Sequence, residues 1–317
     1  MKLSELFKKA IAVGIENDPR GKDAVERELQ ETRKRFDEMK PKEKEFFDPD
    51  SLENPYSDSR LLVGGDEDIG SIMTGIDIDA GEIALADALR TRGRKIDMIM
   101  SHHPCGRAFG NLFGVMAMQA EILEICGVPI NIAEALIEGR ISEVERRLMP
   151  SNHARAVDAA RLMDMPFVCL HTPADNMVAT YLQRLFDEKK PYRLEDALDL
   201  LREIPEYREA VKYSAGPKLL LGSEKRRTGK VFVDMTGGTS GSKEIYRSLS
   251  LTGVNTIVGM HMSDEHRKEA EENHMNVIIA GHIASDTLGL NLLLDQTLAG
   301  EDIEVLECSG FKRIKRS

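Results

Sequence analysis

The chain has 317 residues, 41% of them hydrophobic, enough for a sizeable core in one large or two ordinary domains. Charged residues make up 31% and the formal net charge is -11, a balance that repels a phosphate backbone and argues against nucleic acid as a partner. No apolar run approaches the roughly 20 residues of a bilayer span. The N-terminus, Met1-Lys2-Leu3-Ser4-Glu5-Leu6, lacks the apolar centre of a secretory signal, so the expected location is cytoplasmic, without a membrane partner. Cys105, Cys126, Cys169 and Cys308 are widely spaced with no CxxC pair and read as small core residues.

Leu3, Leu6, Phe7, Ala10 and Ile11 fall at helical spacing, and Val25, Leu29 and Phe36 continue it after the break at Asp18-Pro19-Arg20-Gly21. Two helices are expected there. Pro41, Pro49 and Pro55 lie among many acids, so residues 1–60 read as an N-terminal helical extension and linker. From Ile72, apolar strand-like runs alternate with amphipathic stretches: Ile72 to Ile78, Glu82 to Arg92, then Ile96 to Met100. That alternation is βαβ grammar. A helical insertion near 112–165 follows, then a short strand, Phe167 to Leu170, and further helices to about Val211. The last third expects strands at Lys218 to Leu221, Lys230 to Met235, Asn255 to Met260 and Asn276 to Ala280, with Ile303 to Leu306 as an edge strand. The expected fold class is α/β: a body over 61–317 made of two similar lobes, about 61–175 and 215–317, facing each other.

Of the eight histidines, four stand directly after an apolar strand: His102, His103, His171 and His282. In open α/β sheets the carboxyl ends of strands collect functional groups at one rim. Two of these strand ends also carry an acid four residues after a histidine, Asp175 after His171 and Asp286 after His282. On a helix, positions i and i+4 share a face, so each pair can aim at one point. Imidazole with carboxylate suits Zn, Mn or Fe, and a bridging carboxylate lets two cations sit about 3.5–4 Å apart. Together His102, His103, His171 and His282, with Asp175 and Asp286, read as a site for divalent metal ions.

Ser101-His102-His103-Pro104, His171-Thr172-x-x-Asp175 and Gly281-His282-x-x-x-Asp286, in that order, resemble the NGG-interacting-factor-three-like proteins, which include the GTP cyclohydrolase I type II homologues. Ile76-Asp77-Ile78-Asp79 also looks like that family's aspartate-bearing strand. The resemblance runs from about Leu61 to the C-terminus. It implies a dinuclear metal centre flanked by two similar α/β lobes, within a homo-oligomer that is commonly a hexamer. It also implies that His102 and His282 bind one metal and His103 and Asp175 the other, with Asp286 bridging and His171 supporting the site. The chain departs from the pattern twice: Asp286 stands where the family has Glu, and the span from His103 to His171 is long.

After the strand ending at Met235, Gly237, Gly238, Ser240, Gly241 and Ser242 form a glycine-rich stretch before a helical run. Its backbone amides suit an anion, so it is a phosphate-binding candidate, with a plain strand-to-helix turn as the other reading. His261 directly follows a strand and is a lesser candidate for the site, whereas His153, His266 and His274 read as solvated. Together these features predict a metal-dependent hydrolase acting on a phosphorylated or nucleotide-like small molecule. The alternative is a metal-binding scaffold or regulatory interaction protein without catalysis, separated from the first by whether the metals keep open coordination positions.

Overall fold

The computed structural model describes residues 1–316. The strands inside its sheets are short and almost wholly buried, the pattern of parallel strands covered on each side by helices. β1 (Arg60–Val63), β2 (Ser71–Gly75), β3 (Met98–Ser101), β4 (Phe167–Cys169) and the last strand of the chain form one sheet. β5 (Lys218–Leu221), β6 (Lys230–Asp234), β7 (Val254–Gly259) and β8 (Asn276–Ile279) form the other, and β9 (Glu304–Cys308) is that last strand. The first sheet runs β1-β4-β3-β2-β9 and the second β5-β8-β7-β6. Within each, pairing is parallel except where the first strand lies antiparallel on the fourth, β1 on β4 and β5 on β8. Apart from β9, the two sheets therefore share one topology.

Two helices lie between the sheets. Thr172–Lys189 leaves β4 and His282–Thr297 leaves β8, and they pack along each other. Met177, Leu290, Leu293 and Leu294 join the core over Ile72, Met98 and Val168 of the first sheet, whereas Val178, Leu182, Ala284 and Leu288 join that of Val233, Val258 and Ile278 in the second. His282–Thr297 is buried on all sides through its middle, every residue from Ala284 to Asn291 being covered, polar ones included. The contact is close. A Cβ on Gly289 would lie 2.4 Å from the carbonyl oxygen of Ala174, so only hydrogen fits there.

The structure changes the reading of the N-terminal segment. Helix Leu3–Glu16 is no appendage: Leu3, Leu6 and Ala10 are fully buried in the core formed with Met177 and Leu290. Gly14 lets it approach helix Thr172–Lys189, since a Cβ there would meet Pro173 at 2.7 Å. Arg60, the last residue of the stretch read as linker, opens an edge strand whose pairing comes from β4, more than a hundred residues later. The last strand returns to the first sheet beside β2 instead of extending the second. Most of the helical insertion, including Met118–Ile125 and Ile130–Leu148, covers the outer face of the second sheet through Ala120, Leu123, Ala133 and Ile137, although it leaves from the first.

Gly289→Ala is expected to cost about 1–3 kcal/mol, the usual penalty of overpacking, in urea unfolding. Gly139→Ala, in an exposed helix position where an added Cβ meets nothing, is expected to stabilise by up to about 1 kcal/mol through helix propensity.

Candidate metal centre

β3 does not end its pairing at Ser101. The amides of His102 and His103 donate to the carbonyls of Gly75 and Ile76, each at 2.9 Å, so both histidines extend the ladder beyond β2. Leu170 continues β4 in the same way by donating to Ser101. His171 then caps helix Thr172–Lys189, which puts Asp175 in the first turn. On the second sheet, Gly281 takes a φ of 112° against the carbonyl of Ala215, and His282 starts the helix that carries Asp286 in its second turn. Four strand or helix ends thus meet at one point between the sheets.

The side chains converge there. His102 Nε2 lies 3.4 Å from Asp175 Oδ1 and 3.5 Å from Asp286 Oδ1. His103 Nε2 and His282 Nε2 lie 3.5 and 3.6 Å from Asp286 Oδ2. His171 Nε2 is 3.6 Å from Asp175 Oδ2. Three overlapping donor groups result: His102 with Asp175 and Asp286, His103 with His282 and Asp286, and the three imidazoles of His102, His103 and His171. Asp286 turns one oxygen to each of the first two.

These residues fit a divalent cation. His102 Nε2, Asp175 Oδ1 and both oxygens of Asp286 are buried without a hydrogen-bond partner, an arrangement that is costly unless something else binds them. Separations of 3.4–3.6 Å are long for hydrogen bonds. They match the edge of a coordination shell with bonds of about 2.0–2.2 Å. The opposite ring nitrogens are held. His102 Nδ1 donates to the Leu170 carbonyl at 3.2 Å, His103 Nδ1 to Asp77 at 2.7 Å and His171 Nδ1 to Asp58 at 2.8 Å. That leaves each Nε2 lone pair directed inward, as in metal sites whose imidazoles are oriented by carboxylates or carbonyls.

All five expected ligands are brought together, but the pairing differs from what the family resemblance implied. His102 shares its group with Asp175, and His103 with His282, because His282 enters from the open side where His103 stands. His171 supports the site and also turns its own Nε2 toward it. Sequence reasoning missed Asp58. This fully buried residue accepts from His171, from Thr172 Oγ1 at 2.6 Å and from Ser59 Oγ at 3.2 Å. Its one signal was its place two residues before β1. His261 stacks edge-on to His282, ring centres 4.8 Å apart, outside the donor groups.

Electrostatics divides the cluster. Desolvation disfavours a charged His102, but the charges and hydrogen bonds of Asp286 and Asp175 outweigh it and push its pKa up to about 10. Burial likewise opposes the charge on Asp286, yet His102, His103 and His282 hold its carboxyl far below the usual range. Burial of Asp58 is outweighed by the hydrogen bonds of His171 and Thr172, which lower its pKa. The more open His282 and His261 are pushed down by desolvation.

The open side faces a cavity of about 670 Å³. Gly238 and Ser240 of the glycine-rich stretch line it, with Arg140 from the helical insertion. Gly237 and Gly238 take φ of 93° and 85°, and the stretch is tied back by its carbonyls. Gln119 Nε2 donates to Gly237 and Thr239, Arg140 Nε to Ser240, and His266 Nε2 to Gly241. His266 is therefore a strut for this loop instead of a solvated residue. Ser242 bonds Glu244. Thr236 Oγ1 donates to Asn176, next to Asp175, at 2.6 Å, joining loop and metal helix.

Fold and site define a mixed α/β protein with two parallel-rich sheets and a histidine–aspartate cluster able to hold metal between them. No protein-family model and no curated protein matches the chain. Among solved structures, a NIF3 superfamily protein from Sphaerobacter thermophilus is similar at 30% identity and a TM-score of 0.69, over 80% of this chain and 91% of that one. Reduced HcgD from Methanocaldococcus jannaschii shares the fold at 17% identity and a TM-score of 0.51, over 85% of this chain and 97% of that one. The chain belongs to the NIF3 superfamily.

Metal uptake is expected to release protons near neutral pH, because a cation displaces the proton of His102; calorimetric titration in buffers of different ionisation enthalpy measures this. In the metal-free protein the raised pKa of His102 contributes stability that is complete below its unfolded value near 6.5 and is lost as pH rises through about 10. Asp286 contributes the opposite dependence, present above 3.8 and lost as pH falls. Melting temperatures of metal-free protein should decline at both ends. Asp58→Asn is expected to weaken metal binding by about 10–100-fold, read by competition with a chromophoric chelator.

Proposed function

We propose that the protein is a metal-dependent hydrolase of a phosphorylated or nucleotide-like small molecule, using two divalent ions that His102, His103, Asp175, His282 and Asp286 would hold. The observation that carries this reading is the opening of the donor cluster onto the cavity. His102 is fully buried, whereas the side chains of His103 and His282 are 26% and 41% exposed and line the cavity wall. Two divalent cations at such a site would lower the pKa of water and offset negative charge developing on the substrate.

The chain's own residues do the rest. Asp77 and Asp58 hold the His103 and His171 rings in one tautomer, so their donors need no reorganisation. Arg140, fixed by Ser240 and Glu143, places a cation beside the glycine-rich loop. The amides of Gly238, Ser240 and Gly241 have no acceptor among the described residues and are available to a phosphate. GTP ring opening is one specific form of this activity and belongs in the assay panel. Self-association into a homo-oligomer is part of the proposal; Ile125, Leu162 and Leu251 are exposed apolar residues that suit it.

A scaffold role requires closed coordination, and the cavity beside His103 and His282 favours the enzyme. Protein purified without added metal is expected to contain close to two equivalents of divalent metal by elemental analysis. Loaded protein is expected to turn over a member of a panel of phosphoesters, nucleotides and cyclic amides, with loss of at least about 100-fold in His103→Ala. Unchanged turnover in that variant, or none in the native protein, would overturn the catalytic reading and leave the scaffold.

A further inference from the structure

The cavity wall carries an acid that neither the metal cluster nor a neighbouring residue engages. Asp234 ends β6, and its carboxylate has no hydrogen bond or ion pair among the described residues, although it is half-buried. The fold does not require an acid there. Asp234 pairs with Gly259 as Gly75 pairs with Ser101 in the first sheet, so the equivalent position is glycine.

The basic groups of this wall are engaged elsewhere. His266 has Nδ1 against Ser263 Oγ at 2.7 Å and Nε2 on the Gly241 carbonyl at 3.0 Å. Arg140 is tied to Ser240 and Glu143. Beside Asp234, Tyr246 is 2% exposed and its hydroxyl also lacks a partner among the described residues. Its ring is propped edge-on by His266, centres 6.0 Å apart. Burial pushes the Asp234 carboxyl up to about 6, so its ionised form gains from any cation that enters. A carboxylate beside an aromatic ring and a free hydroxyl, with apolar Ile257 and Met262 nearby in the wall, is complementary to an alkylammonium group.

We propose that Asp234 and Tyr246 form a second subsite of the cavity, which binds a protonated amine on the molecule whose phosphate is held at the metal end, between the donor cluster and the glycine-rich loop. The substrate class is then a phosphorylated amine. This rests on the proposed reading of that end, donor cluster together with glycine-rich loop, as the place of the phosphate, and the test separates the two.

Binding of alkyl phosphates and of the matching aminoalkyl phosphates, in a series of increasing chain length, is measured by calorimetry on the full metal-loaded protein. The expected result is that alkyl phosphates bind, that at least one aminoalkyl phosphate binds roughly tenfold tighter than its alkyl partner, and that Asp234→Asn abolishes this preference while leaving alkyl phosphate binding intact. Tyr246→Phe, which removes only the hydroxyl, is expected to reduce the preference in part. Alkyl phosphates that bind with no gain from the amine at any length, or a gain that survives Asp234→Asn, would overturn the subsite. Absence of binding by every alkyl phosphate would overturn the reading of the metal end instead. Should Asp234→Asn fold poorly, Asp234→Glu, which keeps the charge and moves it by one methylene, is expected to shift the preferred chain length, and an unchanged optimum would count against the proposal.

Discussion

The contact of Gly289 with the carbonyl of Ala174 is the constraint on which the site depends. Ala174 immediately precedes Asp175, and Gly289 lies one turn after Asp286. The two carboxylates are therefore fixed to each other through backbone packing and not through flexible side chains, the kind of support that holds a site on rigid elements. Each helix also hangs from a different sheet, so the cluster sits at the joint between them. A shift of one sheet against the other would separate Asp175 from Asp286 before it disturbed either core.

Holding two carboxylates together away from water creates a charge problem that the histidines only partly solve. A buried carboxylate is tolerated when paired, and His102 is the one imidazole wholly inside the cluster. Its raised pKa is the metal-free response to the same field that would bind a cation. Toward the cavity the field weakens and desolvation prevails, so His282 and His261 favour the neutral form. The cluster thus has a closed end, built for retention, and an open end, accessible to a ligand.

Much of this was legible along the chain because strand ends are short-range signals. An apolar run followed at once by His-His-Pro, or by His with an acid four residues on, locates a functional rim without knowledge of what it faces. The strands themselves, the edge position of Ile303 to Leu306 and the helical insertion were readable for the same reason. Long-range pairing was not. Asp58 gains meaning only when β1 lies beside β4, Leu3 and Leu6 only when the helix between the sheets covers them, and His266 only when Gly241 approaches. The grouping of donor atoms, His102 with Asp175 and His103 with His282, depends on the side from which the second helix enters, which no spacing encodes.

The shared topology of the sheets explains why the donors meet without being equivalent. By strand register Cys169 corresponds to Ile279, which aligns His171 with Gly281, Thr172 with His282, and Asn176 with Asp286. The acids are thus staggered by one residue, about 100° around the helix, Asp175 corresponding to Ser285. Identical positions on facing helices would set like charges directly opposite each other; the stagger lets Asp286 reach both donor groups while Asp175 serves one. Asn176, in the place that Asp286 holds on the other helix, accepts from Thr236 and ties the metal helix to the glycine-rich loop. Gly75 and Asp234 differ in the same sense. The first sheet supplies most of the imidazoles and the second supplies the acid shared by two donor groups, and both halves line the cavity in front of them.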